Sequence, residues 1–411
     1  MTGGTWKELV DDVATATELP QPWRSAFEEV PRTRYVPDDV FVPEPGTPRA
    51  YRTVARHAEP EAWAALVCSK AQVVTQLTPS PFDGAPTPSS SSSAPEVVAR
   101  MLALLDPAPG ARVLDLGSGT GWTAALLARF GTFVVTMESD RELAAQVRAR
   151  VIDCQPPVTA LHGDATLGHP DAAPYDAVHV GFSVREIPGT WIGQVRPGGR
   201  LVMPFGTLFS NTGLLRLTVR EDGQVAEGRF HGGAMFMWER GQRPNWTHAV
   251  TDDPERAASA LDPRTVLATG ASRWAVGLQV PGVTWDPVPA GGDRLLRLWC
   301  TDGSWAAVAV DGWNKPDGVA QAGLRHLWDE ACEAWSWWDG KGRPGRNRFG
   351  VSADRAGSCR AWLDSPRFTL PGALDSAAHT RPATPPPAGP TRPQDHDEAE
   401  ARGALREVRP Q

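Results

Sequence analysis

The 411-residue chain has little that would tie it to a membrane, a metal or a nucleic acid. No apolar run approaches the roughly 18 residues needed to cross a bilayer, and no charged-then-apolar pattern opens the sequence. A cytoplasmic protein with no membrane partner is therefore expected. The five cysteines, Cys68, Cys154, Cys300, Cys332 and Cys359, are widely separated, with no C-x-x-C pair and no clustered histidines. Neither a metal site nor a disulfide framework is indicated. Positive charge is outweighed by negative, 41 Lys and Arg against 48 Asp and Glu. The formal net charge is −7, and the one basic block, Gly340-Lys341-Gly342-Arg343 with Arg346 and Arg348, has tryptophan neighbours that read as structural or peptide-binding. No nucleic-acid partner is expected.

What is present is ample for folding: 41% of residues are hydrophobic, and the length exceeds one ordinary core, so two domains are expected. The most informative stretch is Val113-Leu114-Asp115-Leu116-Gly117-Ser118-Gly119-Thr120-Gly121, an apolar strand entering a glycine-spaced turn, with helix-like sequence from Trp122 to Phe130 directly after it. Glycines leave room for a ligand against the backbone and take dihedrals closed to other residues. Their alternate spacing departs from G-x-G-x-x-G, and Asp115 precedes the first of them, which favours S-adenosylmethionine over a nicotinamide. Asp115, at the carboxyl end of its strand, is placed for the ammonium of the cofactor's methionine part, with Gly117, Ser118, Gly119 and Gly121 forming the cradle.

A second buried strand, Thr132 to Met137, delivers Glu138, where a carboxylate can take both ribose hydroxyls. Ser139 with Glu142 fits a capping box, and Leu143, Val147 and Val151 follow on one helix face. Val158 to His162 and Asp176 to Val180 read as a third and fourth strand. Asp164, with Ala165 beside it, is placed to meet the adenine.

Four stretches together carry a family resemblance: Val30-Pro31-Arg32 with Tyr35-Val36, the glycine loop, His162-Gly163-Asp164, and the block from Tyr175 to Gly181 through Ile187-Pro188 to Pro197-Gly198-Gly199-Arg200-Leu201-Val202-Met203-Pro204-Phe205-Gly206. Over roughly residues 5 to 230 the chain resembles protein-L-isoaspartate O-methyltransferase. That resemblance implies S-adenosylmethionine as cofactor and a Ser-Ala-Pro element whose hydroxyl lies near the transferred methyl and the substrate carboxylate. Ser93-Ala94-Pro95 stands in that place, with Ser92 next to it. Two features depart from the family: Trp63 to Pro88 precede a five-serine run, Ser89 to Ser93, and Glu96 replaces the usual histidine after Ala-Pro. Ser89 to Ser91 read as a flexible linker, whereas Ser93 abuts a helix patterned by Val97, Val98, Met101, Leu102 and Leu105.

Val74-Thr75-Gln76-Leu77, Gly345-Arg346-Asn347-Arg348-Phe349-Gly350 and Ala361-Trp362-Leu363-Asp364 resemble an actinobacterial branch of that family, associated with ribosomally made lanthipeptides and graspetides. The branch implies methylation of an ordinary aspartate in a cyclised precursor peptide, leading to aspartimide or isoaspartate. A housekeeping isoaspartate repair enzyme and a non-catalytic, cofactor-binding accessory protein are the alternatives. A monomer is favoured.

Twelve of the 17 tryptophans follow residue 230. Most are expected in a core, with a minority lining a peptide groove. Val266 to Val280 and Leu295 to Val310 read as strands, and Val319 to Trp335 as a helix with Leu324, Trp328 and Cys332 on one face. The expected architecture is therefore α/β. It comprises a Rossmann-like S-adenosylmethionine-dependent methyltransferase domain over 1–230 with N-terminal helices, a Trp-rich α+β domain over 231–370, and a disordered tail over 371–411.

Overall fold

The structure, a computed structural model, describes residues 5–80, 83–244, 253–286 and 294–371. The expected disordered tail lies outside the described residues from 372 onward. Among the described residues, no helix is long and apolar enough to cross a membrane, and no group of three His, Cys, Asp or Glu side chains is placed to hold a metal ion.

The chain opens with α1 (Trp6–Thr17) and α2 (Gln21–Glu29). β1 (Asp39–Pro43), β2 (Tyr51–Ala55), α3 (Pro60–Val67), β3 (Val73–Pro79) and β4 (Pro86–Ser92) follow, then α4 (Pro95–Leu105). The four strands make an antiparallel sheet in the order β2-β1-β3-β4. This corrects the linker reading of Ser89 to Ser91. Pairing with β3 gives the serine backbone its ladder partners, and the two-residue period buries Ser90 and Ser92 while Ser89 and Ser91 stay half-exposed.

Next come β5 (Arg112–Leu116), α5 (Trp122–Arg129), β6 (Phe133–Glu138), α6 (Arg141–Arg150), β7 (Val158–His162), β8 (Tyr175–Val180), α7 (Gly189–Gln194), β9 (Val195–Phe205), β10 (Gly213–Val219) and β11 (Val225–Phe230). The strands expected here from the apolar runs are all present. β7-β6-β5-β8-β9 pair in parallel, a Rossmann-like sheet with β5 at its centre. Alternate residues of these strands feed two cores. Leu114, Val178 and Leu201 join one cluster, while Val113, Ala177 and Val202 join the other with α1, α2, α4 and α5. Ser139 is not the helix cap it resembles. Asp140 caps α6, its Oδ1 accepting from the Glu142 and Leu143 amides at 3.0 and 3.1 Å.

The last third holds β12 (Glu255–Ala257), α8 (Pro263–Val266), α9 (Gly270–Gly277), β13 (Val283–Asp286), β14 (Leu295–Cys300), β15 (Trp305–Ala309), β16 (Val319–Ala322), α10 (Leu327–Gly340), β17 (Phe349–Asp354) and β18 (Cys359–Leu363). Leu295 to Val310 forms two strands as expected. Val266 to Val280 does not, because Asp262 caps α8 and Thr269 with Ser272 forms a capping box on α9, fixing helical starts that apolar content alone hides. Val319 to Trp335 divides into β16 and α10, leaving Leu324 91% exposed between them.

The boundary expected near residue 230 is also corrected. β17 and β18 extend the central sheet by pairing on β11, giving nine strands in the order β18-β17-β11-β10-β9-β8-β5-β6-β7. Across that joint Gly228 pairs with Val351 and Gly350 with Arg229; a Cβ on Gly350 would lie 2.2 Å from the Trp362 ring, so glycine is what lets the indole cover it. The separate five-stranded sheet, order β12-β16-β15-β14-β13, shares one apolar cluster with the central sheet through Trp274, Leu298, Trp328 and Phe230. Two sequence regions thus build one continuous core.

Candidate active site

A cavity of about 460 Å³ opens where the parallel strands end, between the turn after β5 and the serine strand β4. Ligands of open parallel sheets bind at such carboxyl edges. The turn is shaped by close approach: Gly117 has φ +82°, and a Cβ there would sit 2.6 Å from the Phe182 ring. Opposite it, a Cβ on Gly119 would stand 3.7 Å from the Ser91 carbonyl oxygen, so β4 and the turn are facing walls.

Ser92, Ser93, Gly117, Ser118, Gly119, Glu138, Asp164 and Ala165 all line this cavity. Asp115 and Gly121 do not. Gly121 begins α5 at φ +84° and backs onto Val147 of α6, where a Cβ would meet a methyl at 3.2 Å. Asp115 is 1% exposed and lies behind the wall. Its Oδ2 accepts from Thr136 Oγ1 and its Oδ1 faces His179 Nδ1, both at 2.7 Å, so the expected direct contact with a ligand ammonium is replaced by contacts within the protein.

Glu138 lines the cavity at the end of β6. Its Oε2 accepts from the Gly119 amide and its Oε1 from the Asp140 amide, both at 3.0 Å. Oε1 also accepts from the Ser139 hydroxyl, at the longer distance of 3.4 Å, so Oε2 keeps a lone pair for a ligand hydroxyl while Oε1 could take a second one only in place of Ser139. Asp164 uses Oδ1 for the amide and hydroxyl of Thr166, at 2.8 and 2.7 Å. A further sign that the cavity is built for a polar ligand is its buried atoms without hydrogen-bond partners among the described residues: Ser92 Oγ, His179 Nε2 and Asn211 Oδ1. S-adenosylmethionine, with a ribose diol, an ammonium and a carboxylate, is a ligand these groups suit.

Ser93 sits between the end of β4 and the start of α4, half-buried, and its hydroxyl makes no hydrogen bond to another described residue. Its backbone is held by Arg32, which is fully buried. That guanidinium donates to the carbonyls of Val67, Ser69, Ala71 and Ser93 at 2.7 to 3.1 Å, and burial pulls it down to about 10, still charged at neutral pH. Arg32 appears in the sequence only as part of a resemblance; its role is invisible there because its partners are backbone carbonyls 35 to 61 residues away. Gln76, likewise unassigned, accepts from Ser89 Oγ at 2.8 Å and donates to Asp140 at 3.2 Å, tying β3 and β4 to α6. His179 is the third residue that the sequence left without a role. The thiols take no part: burial raises Cys68, Cys154 and Cys300 and pushes Cys332 up to about 12.

Comparison with known proteins places this geometry. A family model described as protein-L-isoaspartate(D-aspartate) O-methyltransferase matches residues 67–237. The chain is 39% identical over 145 residues to a protein-L-isoaspartate O-methyltransferase of Methylorubrum populi, covering 35% of this chain and 68% of that one. It is 37% identical over 150 residues to the protein of the same name from Methanopyrus kandleri, covering 35% and 66%. The chain thus spans about two thirds of the length of the curated relatives it matches. A solved structure titled protein-L-isoaspartate O-methyltransferase aligns with 88% of this chain and 100% of its own at TM-score 0.50 and 18% identity, a likeness of fold. So large a share cannot end at residue 230, so the region beyond it is not peculiar to this chain.

Proposed function

The chain belongs to the protein-L-isoaspartate O-methyltransferase family, and from that premise we propose that it transfers a methyl group from S-adenosylmethionine to a side-chain carboxylate of an aspartate-derived residue in a peptide. The observation that carries this reading is the placement of Ser93 on the wall facing the glycine turn and Glu138, with its backbone clamped by Arg32. The cofactor supplies the electrophilic methyl on its sulfonium. The protein's task is positioning. Glu138 holds the ribose, the glycine turn gives the cofactor room, and the Ser93 hydroxyl donates to one oxygen of the substrate carboxylate so that the other is aimed at the methyl. An aspartate carboxyl is already an anion at neutral pH, its ordinary value being about 3.9, so no general base is needed.

The finer reading is an ordinary aspartate in a macrocyclic, ribosomally made peptide, whose methyl ester closes on the next backbone amide to aspartimide and releases methanol. It rests on the resemblance at Val74 to Leu77, Gly345 to Gly350 and Ala361 to Asp364, and on the insert from Trp63 through the serine run. The residues after 230 do not by themselves separate the two readings, since a solved structure of like fold aligns with 88% of this chain. The relatives' names favour the second reading, an isoaspartyl substrate. Mass spectrometry of the protein with S-adenosylmethionine and two peptides decides between them. One is an isoaspartyl peptide and the other a macrocycle with aspartate before glycine. Methyl gain and then methanol loss on the macrocycle alone is the expected result. Turnover of the isoaspartyl peptide alone establishes the repair reading, and turnover of neither overturns both.

A further inference from the structure

The polar row behind the cavity wall has a chemistry that methyl transfer, as derived above, leaves unused. Thr136, Asp115 and His179 are in register on β6, β5 and β8. They lie two residues beyond Val134, Val113 and Ala177, whose side chains pack with α4, so all three rise from that same face where the strands end. Ser118 Oγ lies 2.6 Å from Thr136 Oγ1, the Thr136 hydroxyl donates to Asp115 Oδ2, and Asp115 Oδ1 faces His179 Nδ1. A carboxylate only accepts, so Nδ1 carries the ring hydrogen and Nε2 keeps its lone pair. His179 is 3% exposed, lines the cavity, and its Nε2 has no partner among the described residues.

A buried acceptor backed by a carboxylate wants a donor that carries positive charge. We propose that His179, held by Asp115, receives the α-ammonium of the methionine part of S-adenosylmethionine through Nε2. The carboxylate expected to touch that ammonium instead acts through the imidazole, which both fixes the tautomer and brings the acceptor to the cavity. This assignment rests on the methyltransferase reading and names a cofactor contact within it. The opposite polarity, an imidazolium donating to a substrate carboxylate, would leave the ammonium without its partner here.

The test is calorimetric binding of two ligands, S-adenosylhomocysteine and 5′-methylthioadenosine, the second lacking the amino-acid part. His179→Phe keeps bulk and removes the acceptor; it is expected to weaken S-adenosylhomocysteine about tenfold or more, the scale of a hydrogen bond to a charged group. Binding of 5′-methylthioadenosine should change less than about threefold. Asp115→Asn offers a carboxamide N–H to Nδ1, turns the tautomer over, and should produce the same selective loss. His179→Gln, which keeps an acceptor oxygen and stands in should the Phe variant not fold, should recover part of the affinity. Equal losses for both ligands, or unchanged S-adenosylhomocysteine affinity with weaker peptide binding, overturn the proposal. A wild-type protein that binds neither ligand overturns the cofactor reading itself, which is a distinguishable failure.

Discussion

At the scale of single residues, the site depends on side chains spent on the backbone. Glu138 organises the turn through the Gly119 amide and turns its carboxylate, with a lone pair left on Oε2, to the cavity. Glu138→Ala removes the acceptor pair and frees the Gly119 amide. Cofactor affinity measured by calorimetry should fall about tenfold or more, in line with a charged hydrogen-bonding group lost from a binding site; normal affinity would refute the ribose contact. That Glu138, Asp164, Gly117 and Gly119 line one cavity was legible in the sequence because each stands at a strand end or in a tight turn, both local features. Asp115 was legible as an acid at the right strand end, yet its direction was not. The register that sets it beside His179 joins residues 64 positions apart, and no spacing rule reports that.

Elements tell a similar story. The serine run has the composition of a linker, but a strand needs only a partner ladder and a face that tolerates small side chains, and β3 supplies the ladder. α8 and α9 were hidden by β-branched content and are set by caps at Asp262 and Thr269. The cap that matters most to the site is Asp140. Burial pushes its carboxyl up, but hydrogen bonds from the Leu143 amide, Gln76, Arg240 and the Glu142 amide prevail and hold it below the usual carboxylate range. Gln76 on β3 and Arg240, a cavity-lining residue, both meet Asp140 Oδ2, at 3.2 and 3.4 Å, so this one side chain joins three walls. Asp140→Ala should lose about 1 kcal/mol of stability, read by denaturant unfolding near pH 7. A depressed folded value means that the stabilisation is complete above the unfolded value and is lost as the pH falls through the folded one. The gap between wild type and variant should therefore be steady above about pH 4 and close in more acidic solution. A gap that widens in acid would contradict this.

Across the whole molecule, the main sheet was readable in outline and the division of the chain was not. Composition separates a Trp-rich second half, but tryptophan density says only that a core is near. Trp274, Trp328 and Trp338 fill the cluster that also holds Phe205, Leu215 and Phe230 of the central sheet. Trp362 covers the joint between β17 and β11, with the Arg229 guanidinium 4.9 Å above its ring. Trp238, in contrast, lines the cavity. The second half is thus mainly scaffold, and β4 with the segment from Met235 to Arg243 supplies the rim of the cavity.

The central claim is that this rim and turn place a peptide carboxylate against the methyl donor through Ser93. Its most direct test is Ser93→Ala, assayed on whichever peptide the wild type methylates and, in parallel, for S-adenosylhomocysteine affinity. Loss of one preorganised donor should lower turnover by about 10² or more while cofactor affinity stays within about twofold. Unchanged turnover would contradict the claim.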